Sequence, residues 1–339
     1  MSEPFVSVIM AVRNEAAFIA ESLGAILEQD YPAERMEILL ADGASEDDTL
    51  GIVRALPGAE RIRIVSNPLR VQSAGLNLLI PESTGEFIIR IDGHTIIAKD
   101  YVRRCVETLL ATSAQVVGGP MRPVGKTPMG RAIAAAGRSR FAVPTAFHVC
   151  EQACYTDTVY LGAWPRAVLA GVGGYDERLS PNEDYELNYR IRRAGGRIYL
   201  SPAISSRYFG RQTLGALARQ YLAYGVAKTR TLRKYPGSLR PRQTVAPLFV
   251  VFLAVGVPLW AFLPIALVLW AALLALYVVC NATFSIAAAP QRSLPSVGRI
   301  ALAFLTMHIA WGVGFWLGWF GKERGATPSP SSLVNPSLT

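Results

Sequence analysis

GEFIIRIDGHTII (Gly85–Ile97) opens as a buried strand and changes character at its end. Phe87, Ile88, Ile89 and Ile91 are aromatic and β-branched residues of the kind a sheet buries on both faces, and strands covered on both faces belong to parallel sheets. Arg90 interrupts the run. Asp92, Gly93 and His94 follow together, a carboxylate and an imidazole separated by a residue that permits tight turns. Read alone, the pair suits a divalent ion such as Mn2+ or Mg2+, or else a turn in which Asp92 caps local amides and His94 is exposed.

The flanking sequence gives that strand its neighbours. Val6–Val12 reads as a first buried strand and Glu15–Glu28 as a helix after it. Glu37–Leu40 gives a second strand, and Asp47 or Asp48 starts a helix running to about Leu56. A strand over Arg61–Ser66, a helix over Ser73–Leu79 and a helix over Tyr101–Ala111 complete the pattern. Strands alternating with helices predict an α/β fold, a mainly parallel sheet with helices on both faces. In such sheets ligands bind at the carboxyl ends of the strands. The loops after Val12, Leu40 and Ile91 bring Asn14 and Glu15, Asp42, and Asp92 and His94 to that edge. Neither a dinucleotide-binding glycine pattern nor a phosphate-loop lysine is present, which removes support for a dehydrogenase or a kinase.

Farther along, SPNEDYELNYRIRRAGG (Ser180–Gly196) places Glu183 and Asp184 ahead of a helical face formed by Leu187, Ile191 and Ala194. Acids at a helix start are favourable dipole partners, and a carboxylate here also suits a general base acting on a hydroxyl.

The chain has 339 residues, 51% of them apolar, and a formal net charge of +9. Both excesses are local. No Asp, Glu, Lys or Arg occurs between Arg242 and Arg292, a stretch that as helix at about 1.5 Å per residue is over twice the roughly 30 Å of a hydrocarbon core. It predicts a hairpin of two spans bending between Pro258 and Pro264, with Ile300–Phe320 as a third. Nine basic residues and no acid lie between Ala203 and Arg242. Next to a membrane span such a block predicts contact with anionic lipid on the cytoplasmic side and not with nucleic acid. Leu214, Leu217, Tyr221 and Tyr224 recur at helical spacing within it, as in a helix lying on a membrane surface. Val6–Val12 is too short and lacks the basic leader of a secretory signal. Cys105, Cys150, Cys154 and Cys280 fit a reducing compartment, and His148, Cys150 and Cys154 lack the spacing of a zinc site.

VSVIMAVRNE, LLADGASEDDT, IIRIDGH, GVGGYDE and NEDYELNYRIRRAGG, in this order, resemble the family 2 inverting glycosyltransferases over about Phe5–Pro202. The Asp-Gly-His variant with C-terminal spans is most similar to the bacterial succinoglycan-biosynthesis glucosyltransferases. The resemblance implies a GT-A nucleotide-sugar-binding fold in which Ala11, Val12, Asn14 and Glu15 line the nucleotide site and Asp42 reads the base. It implies that Asp92 and His94 stand at the metal motif, that Asp92 also faces the donor, and that Asp184 is the catalytic base. It puts Glu183, Gln220 and Trp164 on the acceptor side, although Trp164 reads equally well as a core residue. Departures are the missing proline before Asn14, Gln72 where many processive relatives have lysine, and QYLAY (Gln220–Tyr224), in which Ala223 and Tyr224 replace the Arg-Trp of processive synthases.

The expected organisation is a GT-A domain over 1–205, a basic interfacial segment over 206–242, about three spans over 243–320 and a disordered tail over 321–339. The expected activity is transfer of one sugar, glucose from UDP-glucose foremost, to a polyprenyl-diphosphate-linked saccharide at the bacterial inner membrane, with the catalytic domain in the cytoplasm. Transfer to polyprenyl phosphate itself, and a non-catalytic scaffold, are the alternatives.

Overall fold

The structure, a computed structural model, describes residues 3–142, 146–149, 151–179, 181–259, 264–290 and 292–321. Strand β1 (Val6–Val12) is buried along its whole length because it lies inside the sheet between two parallel partners. After β1 the chain runs through α1 (Ile19–Leu27), β2 (Met36–Asp42), α2 (Thr49–Ala55), β3 (Ile62–Ser66), α3 (Gln72–Glu82) and β4 (Phe87–Arg90). Strands β2 and β3 extend the sheet on one side of β1, whereas β4 pairs on the other. The order therefore reverses between β1 and β4, which opens a crevice beyond their carboxyl ends. Alternation decides which side chain serves which face. Val6, Val8, Met10, Phe87 and Ile89 enter one apolar layer, while Ile9, Ala11 and Ile88 enter the other.

The second half adds β5 (Thr95–Ile97), α4 (Tyr101–Ala111), β6 (Val116–Gly119), β7 (Met121–Val124), α5 (Pro128–Gly137), α6 (Ala146–Val149), β8 (Cys154–Thr156), β9 (Tyr160–Pro165) and α7 (Arg166–Val172). These are followed by α8 (Glu183–Arg193), β10 (Ile198–Leu200) and β11 (Ser206–Phe209). The main sheet has eight strands in the order β3-β2-β1-β4-β9-β6-β10-β8, with β9 antiparallel to β4 and β6. A second sheet, β5-β11-β7, begins one residue after the Asp-Gly-His segment, and β11 brings Tyr208 opposite Thr95. Trp164 lies opposite Ile88 within the main sheet, 2% exposed in the second apolar layer. It is a core tryptophan, and the reading that it stacks on a sugar is corrected.

Among the described residues four long helices follow: α9 (Leu214–Lys234), α10 (Val245–Leu259), α11 (Pro264–Ala288) and α12 (Leu294–Phe320). Helix α9 was expected on a membrane surface, yet Leu217 packs with Ile133 of α5 and with Phe304 and Met307 of α12. Glycines permit the approach, since a Cβ at Gly225 would stand 2.3 Å from the Trp311 carbonyl oxygen and one at Gly314 2.1 Å from that of Leu222. An amphipathic stripe specifies an apolar neighbour without saying whether it is lipid or protein, and here much of it is protein. Among the described residues two helical segments are long and apolar enough to cross a membrane, Leu267–Ala288 and Leu294–Phe320. Helix α10 is apolar throughout its 15 described residues, about 22 Å at helical rise. Most of the expected hairpin bend, the expected tail beyond Gly321 and Cys150 lie outside the described residues.

Candidate active site

The crevice is organised by Arg90, the residue that interrupts the apolar run of β4. Its side chain is 3% exposed, and a buried guanidinium is tolerated only when carboxylates surround it. Nε donates to Asp92 Oδ1 at 2.9 Å, Nη1 donates to Asp184 Oδ1, and Nη2 lies 3.7 Å from Glu183 Oε1. The guanidinium also sits 5.7 Å from the centre of the Tyr175 ring. Burial works against its charge, and Asp184 and Asp92 more than offset that. One cation therefore ties the strand-end aspartate to the start of α8. Gln72, the first residue of α3, donates from Nε2 to the same Asp92 oxygen at 3.1 Å.

Asp184 differs from its neighbours in access: its side chain is 35% exposed, against 7% for Glu183. Desolvation within the crevice raises its carboxyl above the ordinary carboxylate range; Arg90 opposes this, and Glu183 and Asp92 reinforce it. Glu183 instead turns inward, accepting from the Asn182 backbone N–H at 2.9 Å. Asn182 holds a positive φ of 125° and donates from its side chain to Thr231 of α9 at 2.8 Å, so α9 fixes where α8 begins.

His94 projects beside Asp92, and its Nδ1 lies 2.8 Å from Glu15 Oε1. Burial would lower its pKa, yet the Glu15 hydrogen bond and charge, joined by Asp92, raise it above the ordinary histidine value. The stability this pair contributes is fully present below the unfolded value of about 6.5 and is lost as pH rises through the folded one. An NMR titration of His94 should therefore give a midpoint above about 6.5, and Glu15→Gln should bring it down. An unmoved midpoint in the variant would show that Glu15 does not hold the proton.

On the other side of the crevice, Val12 and Ala11 are buried, and the Val12 carbonyl accepts from Gly43 N–H at 2.8 Å. Asn14 has φ 55°, and its side-chain oxygen accepts from Glu46 N–H at 2.8 Å, which clips the first loop to the second. Asp42 accepts from the Ser45 hydroxyl at 2.6 Å and from the Ser45 N–H at 3.2 Å, so the fold already orients its carboxylate. Gln220 arrives from α9, donating to Tyr224 at 2.8 Å and bonding Tyr208, whose ring lies 5.1 Å from that of His94. The structure thus gathers Asn14, Glu15, Asp42, Asp92, His94, Glu183, Asp184 and Gln220 around one crevice. The sequence reading gave no site role to Arg90 or Tyr208 and noted Gln72 only as a departure from processive relatives. For Arg90 the signal was a charged residue within an otherwise apolar strand.

Among the described residues no group of three or more His, Cys, Asp or Glu side chains forms a ready-made metal cage. What the crevice offers is one carboxylate and one imidazole, with Asp92 Oδ1 already bonded to Arg90 and Gln72 and His94 Nδ1 bonded to Glu15. That donor set fits an ion arriving with a diphosphate that supplies its other oxygens.

Residues 7–138 match the model of the family "Glycosyl transferase family 2". The succinoglycan biosynthesis protein ExoA of Rhizobium meliloti is 33% identical over 324 residues, spanning 91% of this chain and 93% of that one. A dolichyl N-acetyl-α-D-glucosaminyl phosphate 3-β-D-2,3-diacetamido-2,3-dideoxy-β-D-glucuronosyltransferase of Methanococcus voltae is 26% identical over 68% of this chain and 74% of its own length. Among solved structures, the mannosyltransferase PcManGT from Pyrobaculum calidifontis, in complex with GDP-Man and Mn2+, superposes with a TM-score of 0.65 at 21% identity. That superposition covers 95% of this chain and 89% of the mannosyltransferase.

Proposed function

The chain belongs to glycosyltransferase family 2 and has the GT-A fold, and from that premise we propose that it transfers a single hexose, with inversion, from a nucleotide diphosphate donor to a polyprenyl-diphosphate-linked saccharide. The observation that carries this reading is the Arg90 bridge, which holds Asp92 of the donor side and Asp184 of the acceptor side on one guanidinium. In this reading Asp42, Asn14, Glu15, Ala11 and Val12 line the nucleoside pocket. Asp92 and His94 would hold Mn2+ or Mg2+ together with the diphosphate, and the ion would offset charge developing on the leaving group. Asp184 takes the proton of an acceptor hydroxyl as its oxygen bonds to the anomeric carbon. The bond from that carbon to the diphosphate breaks, and nucleoside diphosphate leaves with the electron pair. One displacement turns an α-linked donor into a β-linked product.

UDP-glucose is the first donor to test, given the succinoglycan relative, and exopolysaccharide assembly at a bacterial inner membrane is the setting that relative suggests. Helices α11 and α12 would anchor the catalytic domain on the cytoplasmic face, with the basic residues of α9 near anionic lipid. The test incubates the purified full chain and Mn2+ with radiolabelled UDP-glucose, and in parallel GDP-mannose, plus a native lipid extract. Label should pass into the organic phase only when sugar-bearing polyprenyl diphosphates are present. Equal transfer to bare polyprenyl phosphate would overturn the acceptor assignment.

A further inference from the structure

Four cationic side chains gather beside α8, at the point where the chain enters its apolar region, with two of them, Arg240 and Arg242, on the Asp157 carboxylate. Arg242 Nη2 lies 3.1 Å and Arg240 Nε 3.5 Å from the same oxygen of Asp157, and Arg192 Nε donates to the Asp157 backbone carbonyl at 3.1 Å. Lys228 is 3% exposed on α9, with Nζ donating to the Ser238 carbonyl at 2.9 Å and lying 4.3 Å from the centre of the Tyr185 ring. Lys228 has no carboxylate partner among the described residues. Burial, with Arg240 and Arg242, draws its ammonium down to about 7. The guanidinium groups are also unsatisfied: Arg192 Nη2 and Arg242 Nε are buried N–H donors without a partner. A cluster with surplus positive charge and idle donors is costly unless an anion completes it. Planar guanidinium forks suit phosphate oxygens above other anions.

The position narrows the source of that phosphate. Arg240 and Arg242 precede α10, where the apolar helices begin, so a phosphate held here carries its hydrocarbon toward the membrane. Tyr185, next to Asp184, donates from its hydroxyl to the same Ser238 carbonyl at 2.7 Å, which joins the cluster to the start of α8. Arg192 follows Asp184 by eight residues on that helix, about 12 Å at helical rise. We infer that Arg192, Lys228, Arg240 and Arg242 form the seat for the diphosphate of the lipid-linked acceptor, with Asp157 as its stand-in counter-charge.

The inference rests on the proposed acceptor class, and its test is a binding measurement independent of transfer. The full chain in phosphatidylcholine nanodiscs, its donor site filled with UDP and Mn2+, is titrated with farnesyl diphosphate. Arg240→Gln with Arg242→Gln should weaken binding about tenfold or more, the effect of losing one charge-assisted contact. Asp157→Asn should tighten it, because the competing carboxylate is gone; a purely structural role for Asp157 predicts no tightening. Slow donor hydrolysis without lipid should be unchanged in both variants, which separates failure of this seat from failure of the enzyme reading. Unaltered affinity in the arginine variant would overturn the inference. So would equal competition by phosphatidylglycerol, which marks a general headgroup site, or by inorganic pyrophosphate, which marks a free-anion site.

Discussion

Replacing Arg90 by methionine should destabilise the protein by about 3–5 kcal/mol, the range for removing one partner from a buried ionic network. The substitution keeps much of the apolar stem and removes the charge shared by Asp92, Glu183 and Asp184. Those carboxylates then face one another with no cation between them, and their pKa values rise above those of the unfolded chain. Groups raised in the folded state contribute stability that is lost as pH rises, so the deficit of the variant should be largest near neutrality and shrink below about pH 4. Denaturant unfolding of the detergent-solubilised variant across pH reads this directly. Transfer should disappear as well, because the same guanidinium positions both Asp92 and Asp184, the proposed base. Arg90→Lys keeps one charge but lacks the fork that meets three carboxylates, so its loss should be intermediate. A methionine variant as stable as the parent at neutral pH would show that the three carboxylates do not depend on Arg90.

That dependence was only half visible in the sequence. The apolar runs of β1, β2 and β4 were legible because both faces of an inner parallel strand are covered. The loops at their ends followed from the rule that such strands deliver their ligands at one edge. Asp92, His94 and Asp184 stood out as polar groups at element ends. Arg90 was seen only as an interruption, because its partners at 183 and 184 lie more than ninety positions away and only the fold brings them near. Distance in sequence also hid the phosphate seat. The basic block before Arg242 was conspicuous, yet it reads as a run of charge until Asp157 and Arg192 are placed against it. Trp164 and α9 show the converse limit. Periodicity and residue type say that a side chain wants an apolar neighbour, and tertiary packing alone decides whether that neighbour is core, lipid or ligand.

Asp184→Asn measures the central claim most directly. The amide keeps the shape of the carboxylate and its place beside Arg90 but cannot accept the acceptor's proton. Loss of a general base costs roughly a hundred- to ten-thousandfold in turnover. Binding of UDP with Mn2+ should survive, since the residues assigned to the nucleoside and the metal lie on β1, β2 and the loop after β4. In the parent, desolvation raises the Asp184 carboxyl above the ordinary carboxylate range, so turnover should climb with pH as the proposed base ionises. The decisive comparison is the rate of lipid-linked product formation by parent and Asp184→Asn protein, at saturating donor and matched nucleotide occupancy. The account predicts intact binding with turnover reduced at least about a hundredfold. Transfer at a rate close to that of the parent would contradict it and place the base elsewhere.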